Sequence, residues 1–254
     1  MSNLNLKNKK STTEALNKRL AENKKHYGKL YDKKESFLRY PADWIVRFHN
    51  MYLKKNLPTG RVLDYGCGTG NNSVFFLENG YDVYGTEVPE NALELIKKNL
   101  EFRHLNPKLI QNFSIIPPDN IKLPFKDNFF DFVLCNQVFC YLSSEEQIKK
   151  VCKELSRVLR PGGIVFFTIY GLENYYFKYY AREIYPGGVY KIVIDNPKHR
   201  LYGLEERVYV VRDEKHLKDL FSEFEWVSTG HFSEGMLDMP SNFHWIFIGK
   251  SKKK

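Results

Sequence analysis

At 254 residues, 43% hydrophobic and 15% aromatic, the chain has enough apolar material for one packed α/β domain with an elaboration, and no apolar run reaches the roughly 18 residues of a membrane span. The net charge of +9 is concentrated at the ends: residues 1–34 carry a surplus of seven, and Lys250, Lys252, Lys253 and Lys254 add four, leaving the body at −2. A nucleic-acid enzyme spreads basic residues around its binding face, so this placement disfavours nucleic acid as a partner.

The first residues lack the apolar core of a signal peptide, and Cys67, Cys135, Cys140 and Cys152 form no C-x-x-C pair, which predicts a cytoplasmic chain with reduced thiols. Residues 1–36 are polar and lysine-rich and read as a flexible basic arm, with 250–254 a matching tail and 37–249 the ordered domain. Pro41 opens a helix with Trp44, Ile45, Phe48, Met51 and Tyr52 on one face, closed by Pro58-Thr59-Gly60. Arg39 and Tyr40, just ahead of it, are candidates to reach a bound cofactor's carboxylate.

Val62, Leu63 and Tyr65 then give a short strand, Gly66, Gly68 and Gly70 a tight turn, and Asn72 to Asn79 a helix closed by Gly80. Such a turn lets a ligand approach main-chain atoms at a helix start, as nucleotide-like ligands require. The spacing is wrong for a dinucleotide fingerprint, because Asn71 stands where the third glycine belongs, and no lysine ends the loop as a P-loop needs. A second strand, Tyr81 to Glu87, ends on an acidic residue about 20 positions beyond the turn. That is where α/β nucleotide folds grip vicinal ribose hydroxyls.

Pro89 to Leu100 reads as a helix, Asn112 to Ile116 as a third strand, and Asp131 to Cys135 as a buried fourth strand. Ser144 with Gln147 forms a capping-box pattern at the start of the next helix, which Arg160-Pro161-Gly162-Gly163 stops before a fifth strand, Ile164 to Tyr170. Residues 171–212 form an aromatic-rich insertion containing Tyr175 and Tyr176. Val189–Ile194 and Arg207–Val211 are expected to pair as antiparallel strands within it. A helix near Glu214–Phe221 and two last strands, Glu225–Phe232 and Asn242–Gly249, complete the chain.

Three segments together resemble the class I S-adenosylmethionine-dependent methyltransferases of the small-molecule type. They are D-x-G-C-G-T-G at Asp64–Gly70, the D-x-x-x-L-P-F segment at Asp119–Phe125, and the fourth strand, helix, L-R-P-G-G and fifth strand in succession. The matches cover roughly Arg61 to Tyr170. The resemblance implies a doubly wound, mostly parallel seven-stranded α/β sheet with an antiparallel last strand; residues 171–212, an insertion leaving a ligand-bearing strand end, read as an inserted substrate lid, with a structural or dimer-forming hairpin as the alternative. The same resemblance implies S-adenosylmethionine as cofactor, bound by Asp64, Gly66, Cys67, Gly68, Gly70, Glu87 and Val88, with Asp119 and Asn120 near the adenine and Asn136 and Tyr141 after the fourth strand. The rule that open α/β sheets bind ligands at the carboxyl ends of their strands independently gathers Gly66, Glu87, Asp119, Asn136 and Tyr170.

The acceptor expected is a small polar molecule, first a hydroxyl of a sugar or nucleotide-linked sugar, held by Tyr170, Tyr175 and Tyr176 in the lid. His231, His244 and His199 are the candidate bases. The histidines are scattered, so no metal site is expected. An RNA methyltransferase using the basic ends and a cofactor-binding protein without transferase activity are the alternatives. The lid strands also leave pairing across a dimer open.

Overall fold

The computed structural model describes residues 21, 24, 25, 28, 31, 39–118, 120–142, 144–185, 188–199, 202–235 and 241–253. A seven-stranded sheet is built from β1 (Arg61–Tyr65), β2 (Asp82–Glu87), β3 (Phe113–Ile115), β4 (Phe130–Cys135), β5 (Leu159–Tyr170), β9 (Phe224–Phe232) and β10 (His244–Ser251). Its order is β3-β2-β1-β4-β5-β10-β9; the first five strands run parallel, and β10 lies antiparallel to both β5 and β9. No helix among the described residues is long and apolar enough to cross a membrane.

Successive residues of the central strands are apolar on both sides, as a sheet covered on two faces demands. Val62, Phe132 and Phe166 meet Ile45, Phe48 and Phe76 on one face, while Leu63, Val133 and Phe167 meet Ile148, Leu155 and Phe221 on the other. The helices on these faces are α1 (Asp43–Phe48, widening through His49–Leu53 and closing over Lys54–Asn56), α2 (Asn71–Glu78), α3 (Ala92–Phe102), α4 (Glu145–Val158) and α6 (Glu214–Leu220). Ser144 caps α4 as expected, its hydroxyl accepting from the Gln147 N–H at 3.2 Å.

Two expectations fail for identifiable reasons. Met51 is 80% exposed, because His49–Leu53 is a π turn that rotates the following residues and turns His49 and Leu53 inward instead. The fifth strand begins at Leu159 rather than Ile164: Leu159 pairs with Phe130, and the Pro161-Gly162-Gly163 segment is a register shift within the strand.

The insertion holds α5 (Tyr175–Tyr180) and a separate antiparallel sheet of β6 (Ala181–Tyr185), β7 (Val189–Val193) and β8 (Glu205–Tyr209). The expected pair is present with its second strand two residues early, Val189 opposite Tyr209 and Val193 opposite Glu205, and β6 was not foreseen. The strand ends early because Val211 turns back to the main sheet, donating to the Tyr170 carbonyl at 2.9 Å beside a bridge to Gly171. The insertion therefore leaves and rejoins the domain at one point. Its apolar face, Val189, Ile192 and Val208, is continuous with the main core.

Candidate functional site

A cavity of about 590 Å³ opens at the carboxyl ends of β1, β2 and β4. Its floor is the turn between β1 and α2. Gly66 and Cys67 donate their N–H groups to the Thr86 carbonyl on β2 at 2.8 and 3.0 Å, which pins the turn to the neighbouring strand. Gly66 has φ +72, and a Cβ there would lie 2.3 Å from Val138 Cγ2, so neither the conformation nor the space admits a side chain. Gly66, Cys67 and Gly68 line the cavity. Gly70 caps α2 in the left-handed conformation behind it, where a Cβ would press on Ile96.

Glu87 closes β2 and faces the same space. Its Oε2 accepts the Gly68 N–H and its Oε1 the Val88 N–H, each at 2.8 Å. Both oxygens are thus fixed in position, and each keeps a lone pair to accept from a ligand hydroxyl. Burial pushes this carboxyl above the ordinary glutamate range, against the two N–H groups that favour its charged form.

Asp64 is not a cavity residue: it is 1% exposed beneath the turn and accepts the Ser73 hydroxyl at 2.6 Å, tying β1 to the first turn of α2. Burial pushes its pKa up to about 7, with Ser73 opposing and Glu87 reinforcing the shift. Between the ordinary carboxyl value and about pH 7 the folded chain holds a proton that the unfolded chain has released, so this group's contribution to stability falls as pH rises through that window. The displacement corresponds to a ceiling of about 4 kcal/mol. Asp64→Asn keeps an acceptor for Ser73 and removes the cost. Thermal unfolding should show the variant's Tm advantage growing from pH 4 to pH 8, and a constant difference would contradict this origin.

Apart from Tyr40 and Asn136, the far wall comes from residues that the sequence pattern did not single out for the site. The Asn72 side chain accepts the Ala42 N–H at 3.1 Å and Asn71 donates to the Tyr40 carbonyl at 2.9 Å, so α2 holds the entry to α1 over the cavity. Trp44, stacked on Phe232 at 3.6 Å between centroids, donates its indole N–H to Asn136 at 3.0 Å. Thr168 donates to the same Asn136 oxygen and accepts the N–H of Gln137, a cavity residue with φ +60. Carboxamides directly after a glycine turn were the one readable signal among these.

Of the remaining cofactor candidates, Tyr40, Val88, Asn120, Asn136 and Tyr141 line the cavity, and Asp119 lies outside the described residues. Arg39 does not: its guanidinium sits 4.6 Å above the Phe102 ring. Among the described residues, none from the insertion lines this cavity. Tyr170 is one layer behind, bonded to Tyr141 and packed on Phe177, while Tyr175 packs at a tilt on Tyr179 and Tyr176 meets His199. The substrate-lid reading is corrected to that extent: the insertion's apolar face is spent on the core.

None of the three candidate bases reaches the cavity either. His244 is fully buried between Tyr170 and Phe232, with Nδ1 bonded to the Asn242 carbonyl at 3.0 Å, and burial lowers its pKa to about 4. Among the described residues its Nε2 has no hydrogen-bond partner. Alternation along β9 and β10 puts His231 on the other side, stacked on Phe243. His199 packs on Tyr176 and Tyr180 in the insertion. Among the described residues, the carboxylates that line the cavity besides Glu87 are Asp43, bonded to Arg47 at 2.6 Å, and Glu234.

Residues 63–167 match the family model described as a methyltransferase domain. The match covers less than half of the chain, and what this stretch is similar to is a methyltransferase domain. The seven-stranded order with one antiparallel strand agrees with a solved S-adenosylmethionine-dependent methyltransferase from Methanosarcina mazei, at 20% identity and a TM-score of 0.64 over 85% of this chain and all of that one. A thiol S-methyltransferase of Mus musculus is 36% identical over 107 residues, 42% of this chain and 41% of that protein. The chain thus spans less than half the length of that relative. A demethylmenaquinone methyltransferase of Staphylococcus epidermidis is 26% identical over 82% of this chain and 86% of its own length. The matched stretch thus supplies the glycine turn, Glu87 and Asn136, while Trp44 and Glu234 come from outside it.

Proposed function

We propose that the chain is an S-adenosylmethionine-dependent methyltransferase acting on a small polar acceptor. The observation that carries this reading is the Glu87 carboxylate, held by the Gly68 and Val88 N–H groups and facing a cavity floored by the glycine turn. A carboxylate so fixed accepts from two vicinal ribose hydroxyls, and backbone exposed at Gly66–Gly68 meets the ligand without a shielding Cβ. Val88, Ile116 and Asn120 offer an apolar slot with a carboxamide at its edge, suited to an adenine ring. The bound cofactor supplies a methyl group already activated by its sulfonium.

The protein's share of the chemistry is then alignment, exclusion of water and, for an oxygen acceptor, removal of a proton. Trp44 and Tyr141 supply aromatic faces around the cavity that suit a cationic centre. The finer reading is O-methylation of a sugar hydroxyl. Lys24, ion-paired with Glu90, is set against Asp43, Glu87 and Glu234 in the lining, so an uncharged sugar suits the cavity better than a nucleotide-linked one. With the histidines elsewhere, Glu234 is the proposed base. Glu234→Gln should lower the methyl-transfer rate about 100-fold while leaving the Kd for S-adenosylhomocysteine within about twofold. An unchanged rate removes Glu234 from the mechanism.

Calorimetric titration with S-adenosylhomocysteine tests the reading as a whole, followed by an acceptor screen with labelled cofactor. Micromolar binding supports it; no binding by the wild-type chain overturns it.

A further inference from the structure

The carboxamide of Asn136 has its direction set by the chemistry of its partners. The Trp44 indole N–H can only donate, so the side of the amide that meets it at 3.0 Å is the oxygen. Thr168 accepts the Gln137 N–H at 2.8 Å, which leaves the threonine proton for the same Asn136 oxygen, also at 3.0 Å. Two donors fill both lone pairs of that oxygen. Thr168 is fully buried on β5, so the relay is anchored in the sheet. What Asn136 has left for the cavity it lines is its NH2 group, and among the described residues nothing accepts from it.

This donor lies away from the groups that the functional reading gives to the ribose and adenine. Glu87 and Val88 end β2, and β1 separates that strand from β4, which Asn136 follows. Trp44 stacks on Phe232 at 3.6 Å, and Glu234, the proposed base, comes two residues later in the chain. A hydroxyl oxygen carries two lone pairs. One can accept from Asn136 while the other forms the new O–C bond, the S–C electron pair staying on sulfur and the hydroxyl proton leaving to Glu234. An amino nitrogen carries one lone pair, which cannot both accept from the amide and form the new bond, and an ammonium carries none. A thiol sulfur accepts hydrogen bonds only weakly.

We propose that Asn136 is the specificity residue that admits a hydroxyl and rejects an amine as methyl acceptor, with Trp44 the positioning residue that keeps the donor side of the amide toward the cavity. This rests on the methyltransferase reading above and names the atom its acceptor presents. The sequence pattern puts Asn136 after the fourth strand, but which of its two polar atoms faces a ligand is decided by Trp44, 92 residues earlier.

The test uses the full chain, labelled S-adenosylmethionine and a panel of matched acceptors, each an uncharged methyl glycoside beside the analogue with an amino group in place of one hydroxyl. Mass spectrometry distinguishes O-methyl from N-methyl product, and an alkaline buffer keeps the amine's lone pair available. The wild-type chain should form O-methyl product at least about 100-fold faster than N-methyl product. Asn136→Asp keeps the acceptor oxygen for Trp44 and Thr168 and loses the donor. It should cut that ratio about 100-fold while leaving the Kd for S-adenosylhomocysteine within about threefold. Trp44→Phe keeps a ring against Phe232 and frees the amide to turn over. It should cut the ratio about tenfold, whereas a purely structural loss slows both products alike. If Asn136→Asp fails to fold, Trp44→Phe and the wild-type ratio carry the test. N-methylation by the wild-type chain as fast as O-methylation, or a ratio unmoved in the variants, overturns the assignment alone. Affinity for S-adenosylhomocysteine lost in Asn136→Asp overturns it too, by turning the amide toward the cofactor. Binding of S-adenosylhomocysteine without methylation of any hydroxyl in the panel overturns the assignment and leaves the cofactor reading standing. No binding by the wild-type chain removes both.

Discussion

Gly66→Ala is expected to abolish S-adenosylhomocysteine binding and to lower stability by about 2–5 kcal/mol, from overpacking together with a left-handed backbone. The added Cβ would stand 2.3 Å from Val138 Cγ2 at φ +72, and the same residue's N–H donates to Thr86 at 2.8 Å. Either the turn detaches from β2 or Val138 is driven toward the cavity it lines. Both movements displace the floor on which Gly68 and Glu87 meet. Gly80→Ala is the matched control, since φ is +84 there but nothing lies within 4 Å of the new Cβ. It should cost only the conformational term, about 1 kcal/mol, and leave binding unchanged. Thermal unfolding and calorimetry on the two variants separate the contributions. Binding retained by Gly66→Ala would mean that the turn is not the floor of the site.

Glu87→Ala is expected to raise the Kd for S-adenosylhomocysteine about 100-fold, the loss of two charge-assisted hydrogen bonds to the ligand. The Gly68 and Val88 N–H groups would lose their acceptor at the same time, so part of the effect comes from a looser turn. Glu87→Gln distinguishes the two. It keeps one acceptor oxygen and the side chain's volume, and a loss of affinity comparable to that of Glu87→Ala would assign the effect to the carboxylate itself. The pH dependence has a definite sign: burial raises this carboxyl's pKa, so on acidification it takes up a proton before an ordinary glutamate does. Ligand affinity of the wild-type chain should fall as pH drops, and the Glu87→Gln variant should lose that slope. A parallel slope in the variant would place the titrating group elsewhere.

The parts legible in the sequence were those governed by neighbours along the chain. Three alternate glycines after Val62-Leu63 demand a turn that only positive φ permits, and Gly66, Gly68 and Gly70 all adopt it. Glu87 falls at a strand end because the apolar run before it stops there, and the Ser144 cap follows from a hydroxyl three residues before an amide it can accept from. The alternation of strands and helices was enough to imply the parallel sheet, while its antiparallel last strand came from the family resemblance.

What depended on distant contacts was out of reach. A histidine's chemistry is set by what its ring faces, and that is decided by packing: β10 turns His244 into the core under Phe232 and Tyr170, and β9 turns His231 away from the cavity. The aromatic insertion looked like a lid by its position, yet its apolar face is buried against the domain. Tyr31 lies 37 residues before Gly68, and only the folded chain brings its hydroxyl to within 3.4 Å of where a Gly68 Cβ would stand. Local conformation is written in short-range sterics and hydrogen bonds that each residue carries with it; the composition of a cavity is a property of surfaces brought together, and only the folded chain contains it.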